Sequence, residues 1–155
     1  MWQDYETKYE ITEIDQFESN IIGFVYLIEY TDYKCYIGKK NLYSIRTLPA
    51  LKSGKTREGA ERIFRKGSGK RIYFDKLKKE SDWLKYQGSH AECKNRIPAN
   101  KYILDYATSK LQLTYLEAKY LFSMGVLEDD KYLNDNILGT FYRSNLHGKN
   151  PSESD

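Results

Sequence analysis

Three side chains near the start of the 155-residue chain stand at even intervals, Tyr26, Tyr36 and Arg46. Phe24 to Tyr30 is an aromatic and β-branched run, Thr31 to Lys34 is a polar turn, and Cys35 to Gly38 resumes an apolar strand ending on glycine. That pattern predicts a hairpin. A turn centred near Thr31 makes Tyr26 and Tyr36 roughly opposite partners on one face. Lys39 to Ile45 is expected to start a helix bounded by Pro49, because a residue before proline is pushed out of the helical region. Arg46, about two to three turns into that helix, can return its guanidinium over the tyrosine face. The chemistry open to such a set is limited by the phenol, whose ordinary pKa of about 10 makes it a poor base at neutral pH unless cations sit beside it. Lys39 and Arg46 are the cations at hand. Without other information the two tyrosines read as packing on a small sheet.

The other residues able to do chemistry lie further along. Tyr102 to Ala107 has the composition of a third strand, and a long helix follows Thr108-Ser109, with Gly125 past its end. Thr114 and Glu117 form a T-x-x-E capping box, so the bland role for Glu117 is a capping carboxylate near the helix start. His90 is one of two histidines. A lone histidine is more often a surface or capping residue than a catalyst, which leaves it secondary, for phosphate contact or proton transfer. His147 is given no role. Asn134 and Asn136 fall in a stretch that reads as a turn.

Charge is distributed unevenly. Leu48 to Lys79 holds eleven Lys/Arg against three acids, a local balance of +8 in a chain of net +3, so the remainder sums to −5. Gly54, Gly59, Gly67 and Gly69 mark elbows in this stretch. Between them a short helix is predicted over Arg57 to Arg65 and a basic amphipathic one over Ile72 to Lys79. Most charge runs are solvated surface, but Phe64, Tyr73 and Phe74 interleave with the cations here, which favours an arm that follows phosphates. The candidate contacts are Lys70, Arg71, Lys76, Lys78 and Lys79. No glycine pattern matches a nucleotide-binding loop.

The length fits one domain with a single core. Cys35 and Cys93 are far apart and form no C-x-x-C pair, so neither zinc ribbon nor disulfide framework is expected and a reducing cytoplasm is the default compartment. Met1 to Asn20 is acidic and aromatic, with weak helical spacing at Ile11, Ile14 and Phe17, and reads as a lead-in covering an edge or face of the sheet. It lacks the apolar core of a signal peptide, and no window approaches 18 apolar residues, so no membrane partner is expected.

The hairpin resembles that of the GIY-YIG nucleases. Tyr36-Ile37-Gly38 is their second triplet letter for letter, and Phe24-Val25-Tyr26 is similar to the first, with its glycine displaced to Gly23. Lys39 and Arg46 stand where that family has a lysine and an arginine. Glu80-Ser81-Asp82-Trp83 through Tyr86, Gly88 and Ser89 is similar to a segment of a phage-associated branch. Here a helix capped by Ser81 or Asp82 and ended at Gly88 is expected.

The resemblance, over roughly Gly23 to Gly139, implies an α+β fold: a small, mostly antiparallel three-stranded sheet flanked by helices. It also implies one nuclease domain over 1–145, with a basic helical or loop insertion at about 48–79 and a disordered tail over 146–155. The implied reaction is metal-assisted hydrolysis of DNA phosphodiesters, double-stranded DNA being the expected substrate. Tyr26 would be the base or water-orienter, Tyr36 a partner that positions phosphate or shuttles a proton, and Arg46 a bidentate phosphate clamp. Glu117, the helix glutamate after the third strand, would hold one Mg²⁺, with Mn²⁺ able to substitute. Lys39, His90 and one of Asn134 or Asn136 would support the site. The resemblance favours a phage homing-type endonuclease, acting in the host cytoplasm. The alternatives are a restriction or host-DNA-degrading nuclease of the same family and a non-catalytic nucleic-acid-binding module.

Overall fold

The computed structural model describes residues 1–146. It divides into two compact units, one made of Met1–Asn41 with the chain from Asp82 onward, the other of Leu42–Ser81. The inserted unit therefore has wider bounds than the charge run alone marks. The expected tail lies outside the described residues except for Leu146, and His147 lies outside them too.

In the first unit, β3 (Gly23–Tyr30) and β4 (Cys35–Asn41) form the predicted hairpin. Tyr26 pairs with Gly38 and Ile28 with Tyr36. The turn thus centres later than Thr31, and Tyr36 lies diagonal to Tyr26 on the same face instead of directly across from it. β8 (Pro98–Ala107) pairs antiparallel with the other edge of β3. The register slips between Val25 and Tyr26, leaving Leu104 as an extra residue on β8. Such a bulge twists the pair locally.

The sheet has five strands, where three were expected. β1 (Trp2–Asp4) runs parallel to β8, and β2 (Glu10–Ile11) returns antiparallel to β1, giving the order β2-β1-β8-β3-β4. The lead-in does cover a sheet edge, but as strands. Its helical spacing survives only as a 3₁₀ turn at Ile14–Gln16, because Ile11 is taken by β2 and the remainder is too short to sustain a helix.

Each sheet face has its own layer. On one, α1 (Lys110–Ser123) packs through Leu113, Leu116 and Leu121 onto Val25, Leu27, Ile37 and Ala107. On the other, Trp2, Phe17, Phe24 and Trp83 form an aromatic layer with edge-to-face contacts, such as Trp2–Phe24 with centroids 5.0 Å apart. Trp83 belongs to a 3₁₀ turn, Trp83–Lys85, shorter than the helix expected there, and Trp2 Nε1 donates to its carbonyl at 2.8 Å. No helix among the described residues is long and apolar enough to cross a membrane.

The outer edge of β4 is covered by the chain after α1. Cys35 N–H donates to Lys131 O, and Leu133 N–H donates to Cys35 O. Beyond it, β9 (Asn136–Ile137), β10 (Phe141–Tyr142) and α2 (Arg143–Leu146) close the unit. The Arg143 guanidinium donates to the carbonyls of Val126, Leu127, Asp129, Tyr132 and Asn134, which fixes the loop that supplies Asn134.

The second unit is a three-stranded antiparallel sheet: β5 (Tyr43–Pro49), β6 (Glu61–Gly67) and β7 (Lys70–Glu80), in the order β5-β7-β6. This corrects three expectations at once. The helix carrying Arg46 is strand β5, and the helices over Arg57–Arg65 and Ile72–Lys79 are loop with β6 and strand β7. Tyr43, Ile45 and Thr47 on β5, and Ile72 and Phe74 on β7, fall on common faces at period two, as a pleated strand requires. Inside the sheet, buried Asp75 accepts from Arg57 Nη1 at 2.9 Å and Arg62 Nε at 3.0 Å. Those two ion pairs hold its pKa below the ordinary value against the upward push of burial.

Candidate active site

Tyr26 is fully buried, and its hydroxyl makes no hydrogen bond of good geometry, although the Tyr86 and Ser89 hydroxyls lie near enough to act on it. The phenol lies over its cross-strand partner Gly38: a Cβ there would meet Tyr26 Oη at 2.5 Å and Cζ at 2.8 Å. The glycine of the second triplet is therefore a steric requirement of the tyrosine in the first. Burial pushes the Tyr26 pKa far above that of a free phenol, and the Tyr86 and Tyr36 phenols add to the rise. The Tyr36 ring is 6.2 Å from that of Tyr26, and Tyr86 meets Tyr26 edge-on at 5.8 Å.

Tyr36 is less enclosed. Its hydroxyl shares a 2.8 Å hydrogen bond with Ser89 Oγ. Burial pushes its pKa up to about 12, with Ser89 opposing and the Glu117 carboxylate adding to the rise. His90 lies beside it, ring centroids 6.1 Å apart. Its Nδ1 accepts from the Glu92 N–H at 3.0 Å, which leaves the proton on Nε2, facing Asp135 Oδ2 at 3.4 Å. Through the bond from Glu92, His90 caps the 3₁₀ turn Ala91–Cys93.

Glu117 and Asn134 both address the free edge of β4. Asn134 is 5% exposed; its Oδ1 accepts from Ile37 N–H at 3.1 Å and its Nδ2 donates to Ile37 O at 2.7 Å, so one side chain completes the edge as a neighbouring strand would. Asn136 instead donates to Asp135 and accepts from Gly139 N–H, closing a turn. Glu117 stands mid-helix and caps nothing. The N-cap is Ser109, which accepts from Gln112 N–H, so the T-x-x-E box is not the helix start. Thr114 accepts from Lys39 Nζ at 2.8 Å and donates to Lys110 O. Burial raises the Glu117 pKa, opposed by the Lys39 ammonium and the Lys39 backbone N–H. Lys39 thus reaches Thr114 on α1 and meets Glu117 through its backbone N–H; paired with Val25, it lies on the sheet face opposite Tyr26 and does not lower that phenol's pKa.

The first unit therefore gathers Tyr26, Tyr36, Lys39, His90, Asn134 and Glu117. Arg46, exposed and opposite Leu77, and the five candidate basic contacts belong to the second unit. Sequence reasoning passed over four contributors: Tyr86, Ser89, Gly88 and Asp135. Three of them lie in the Glu80–Ser89 segment singled out by resemblance alone. Gly88 has φ +111, and a Cβ there would meet Cys93 Sγ and Tyr30 Oη, both at 2.8 Å. Only glycine lets the chain turn close enough to bring Ser89 to Tyr36.

Among the described residues, no group of three or more His, Cys, Asp or Glu could hold a metal. A single carboxylate suits only a hard cation that keeps water and substrate oxygens as its other ligands, which is the habit of Mg²⁺. Glu117, half-buried and raised in pKa, meets that description.

No curated protein and no solved structure matches the chain. Residues 2–137 match the family described as "Putative endonuclease segE, GIY-YIG domain". That match spans most of the chain and includes both triplets, the bulged sheet and α1. The protein therefore belongs to the GIY-YIG nuclease family, in its segE-type branch.

Proposed function

We propose that this protein is a metal-dependent DNA endonuclease of the phage homing type, hydrolysing phosphodiester bonds in duplex DNA. The observation that carries the reading is the buried, unpartnered Tyr26 hydroxyl held over Gly38. A buried hydroxyl without a partner costs about 1–3 kcal/mol, and a residue used only for packing would do as well as phenylalanine. In the proposed reaction Tyr26 remains a neutral phenol, and its hydroxyl orients the attacking water once substrate binding shifts the Tyr36 and Tyr86 side chains that enclose it. Tyr36, steadied by Ser89, donates to a phosphate oxygen. Glu117 would hold a divalent cation, which when bound supplies positive charge for the departing oxygen. Asn134 keeps the Tyr36–Gly38 strand in register, and Arg46 serves as a cation for the DNA backbone.

The test is cleavage of supercoiled plasmid with Mg²⁺ or with a chelator, for the parent, Tyr26→Phe and Glu117→Gln. The reading expects nicks or breaks only for the parent with metal, and losses of orders of magnitude in both variants. Cleavage by Glu117→Gln at the parent's rate would end the metal assignment. An inert parent that still binds duplex would leave the non-catalytic binding module.

A further inference from the structure

The β6–β7 hairpin extends past its neighbour. β5 pairs with β7 only from Phe74 to Glu80, and Ala50 N–H donates to Tyr73 O, so the three cross-strand pairs from Arg65–Ile72 to Gly67–Lys70 form a two-stranded ribbon. At about 3.3 Å per residue this free part is about 10 Å long. It closes in a two-residue turn, Ser68-Gly69, with both φ positive at 32° and 79°. Such turns follow the twist of the strands and leave no bulky loop at the tip.

Arg65, Lys66, Lys70 and Arg71 crowd this ribbon, and none pairs with an acid among the described residues. The two guanidiniums are held on opposite faces, Arg71 over Phe64 at 4.7 Å and Arg65 over Phe74 at 5.4 Å. Phe64, Ile72 and Tyr73 are about half exposed, at 48%, 52% and 44%. A merely solvated excursion has no reason to show that much apolar surface between its cations.

We infer that this ribbon is a reading element that enters the major groove of duplex DNA. Strands about 4.8 Å apart with their side chains fit a groove about 12 Å wide, and the free length exceeds its depth of about 8.5 Å. The minor groove, about 6 Å wide, is too narrow. Inside, Arg65 and Arg71 present planar forks suited to guanine O6 and N7, while Lys66 and Lys70 at the tip neutralise phosphates and Ile72 meets thymine methyls. The inference rests on the nuclease reading only for duplex DNA being the substrate.

The experiment is anisotropy titration of full-length protein with a fluorescent 30-bp duplex in chelator, at several salt concentrations. It is joined to methylation interference at guanine N7, in the major groove, and adenine N3, in the minor. Lys66→Ala with Lys70→Ala should flatten the salt dependence by about two slope units. Arg65→Lys with Arg71→Lys, which keeps the charge, should keep the slope but lose the guanine N7 interference that the parent shows. Thermal melts confirm that each variant is folded. Unchanged titrations for both pairs, or parent interference confined to adenine N3 or absent, would overturn the inference. Plasmid cleavage separates the two readings: a parent that fails to cut yet shows guanine N7 interference refutes the nuclease and leaves the ribbon standing.

Discussion

Removing the Asn134 amide strips two backbone groups of β4 of their partner at once. The side chain is 5% exposed and meets both the N–H and the carbonyl of Ile37, one residue after Tyr36 and one before Gly38. Each buried backbone group left without a partner costs about 1–3 kcal/mol, and a water entering the vacated space recovers part of that. Asn134→Ala is therefore expected to lose about 3 kcal/mol. For a chain of this size a midpoint falls roughly 2–4 °C per kcal/mol, so the melting temperature should drop by about 6–12 °C. Calorimetric melts of parent and variant measure it. Asn134→Asp sharpens the test. The new carboxyl can accept from Ile37 N–H, but when ionised it also faces the Ile37 carbonyl oxygen, so its pKa in the folded state is raised. Its stabilising form is the protonated one, present at low pH and lost as pH rises through that raised pKa. The variant should thus regain stability relative to the parent between about pH 7 and pH 5. An Ala variant melting within about 2 °C of the parent, or an Asp variant whose deficit is the same at both pH values, would refute the edge-clamp argument.

Tyr26→Phe should abolish cleavage while leaving stability equal or up to about 1 kcal/mol higher, since it deletes a buried unpartnered hydroxyl; chemical denaturation with plasmid assays checks both arms. Gly38→Ala should cost about 1–3 kcal/mol and displace the Tyr26 ring, seen as a lower midpoint and lost cleavage, because the added Cβ would meet the buried phenol at 2.5 Å. Glu117, with its pKa raised by burial, favours folding most when protonated, and that contribution fades as pH rises through the raised value. Glu117→Gln should then melt above the parent at pH 7 and level with it near pH 4, in parallel melts. Lys101 is buried over the Trp2 ring and donates to the Leu84 carbonyl, and burial lowers its pKa to about 8. Lys101→Met should raise the midpoint by about 3–6 °C at pH 7, an advantage that shrinks between pH 8 and 10.5 as the parent's lysine becomes neutral in both states.

The hairpin and the third strand were legible because their signals are local. Period-two runs, a polar turn and a glycine stop specify strands with little outside help, and the letters of the second triplet marked the pair Tyr26 and Tyr36. Glu117 was legible as a helix residue after that strand. Its neighbours were not, because capping was assigned from a T-x-x-E spacing when Ser109 already filled the N-cap. The basic insertion was misread for a different reason. Its cations have good helix propensity and its apolar residues are few, so short windows fit either period, and the choice fell to Asp75, whose two arginine pairs and cross-strand contacts exist only once three strands assemble.

The sequence by itself determined which residue types are available for phosphate chemistry, the hairpin that carries two of them, and the family the chain belongs to. Tertiary structure decided the rest, because it depends on which groups meet across long separations. Asn134 rather than Asn136 reaches Ile37, 97 positions away, in a segment that the Arg143 guanidinium pins through the carbonyls of Tyr132 and Asn134. Ser89 reaches Tyr36 because Gly88 allows a backbone turn that no other residue tolerates there. Lys39 turns to Thr114 on α1 and away from Tyr26 because alternation along β4 sends successive side chains to opposite faces, and one step of register decides which cation a phenol meets.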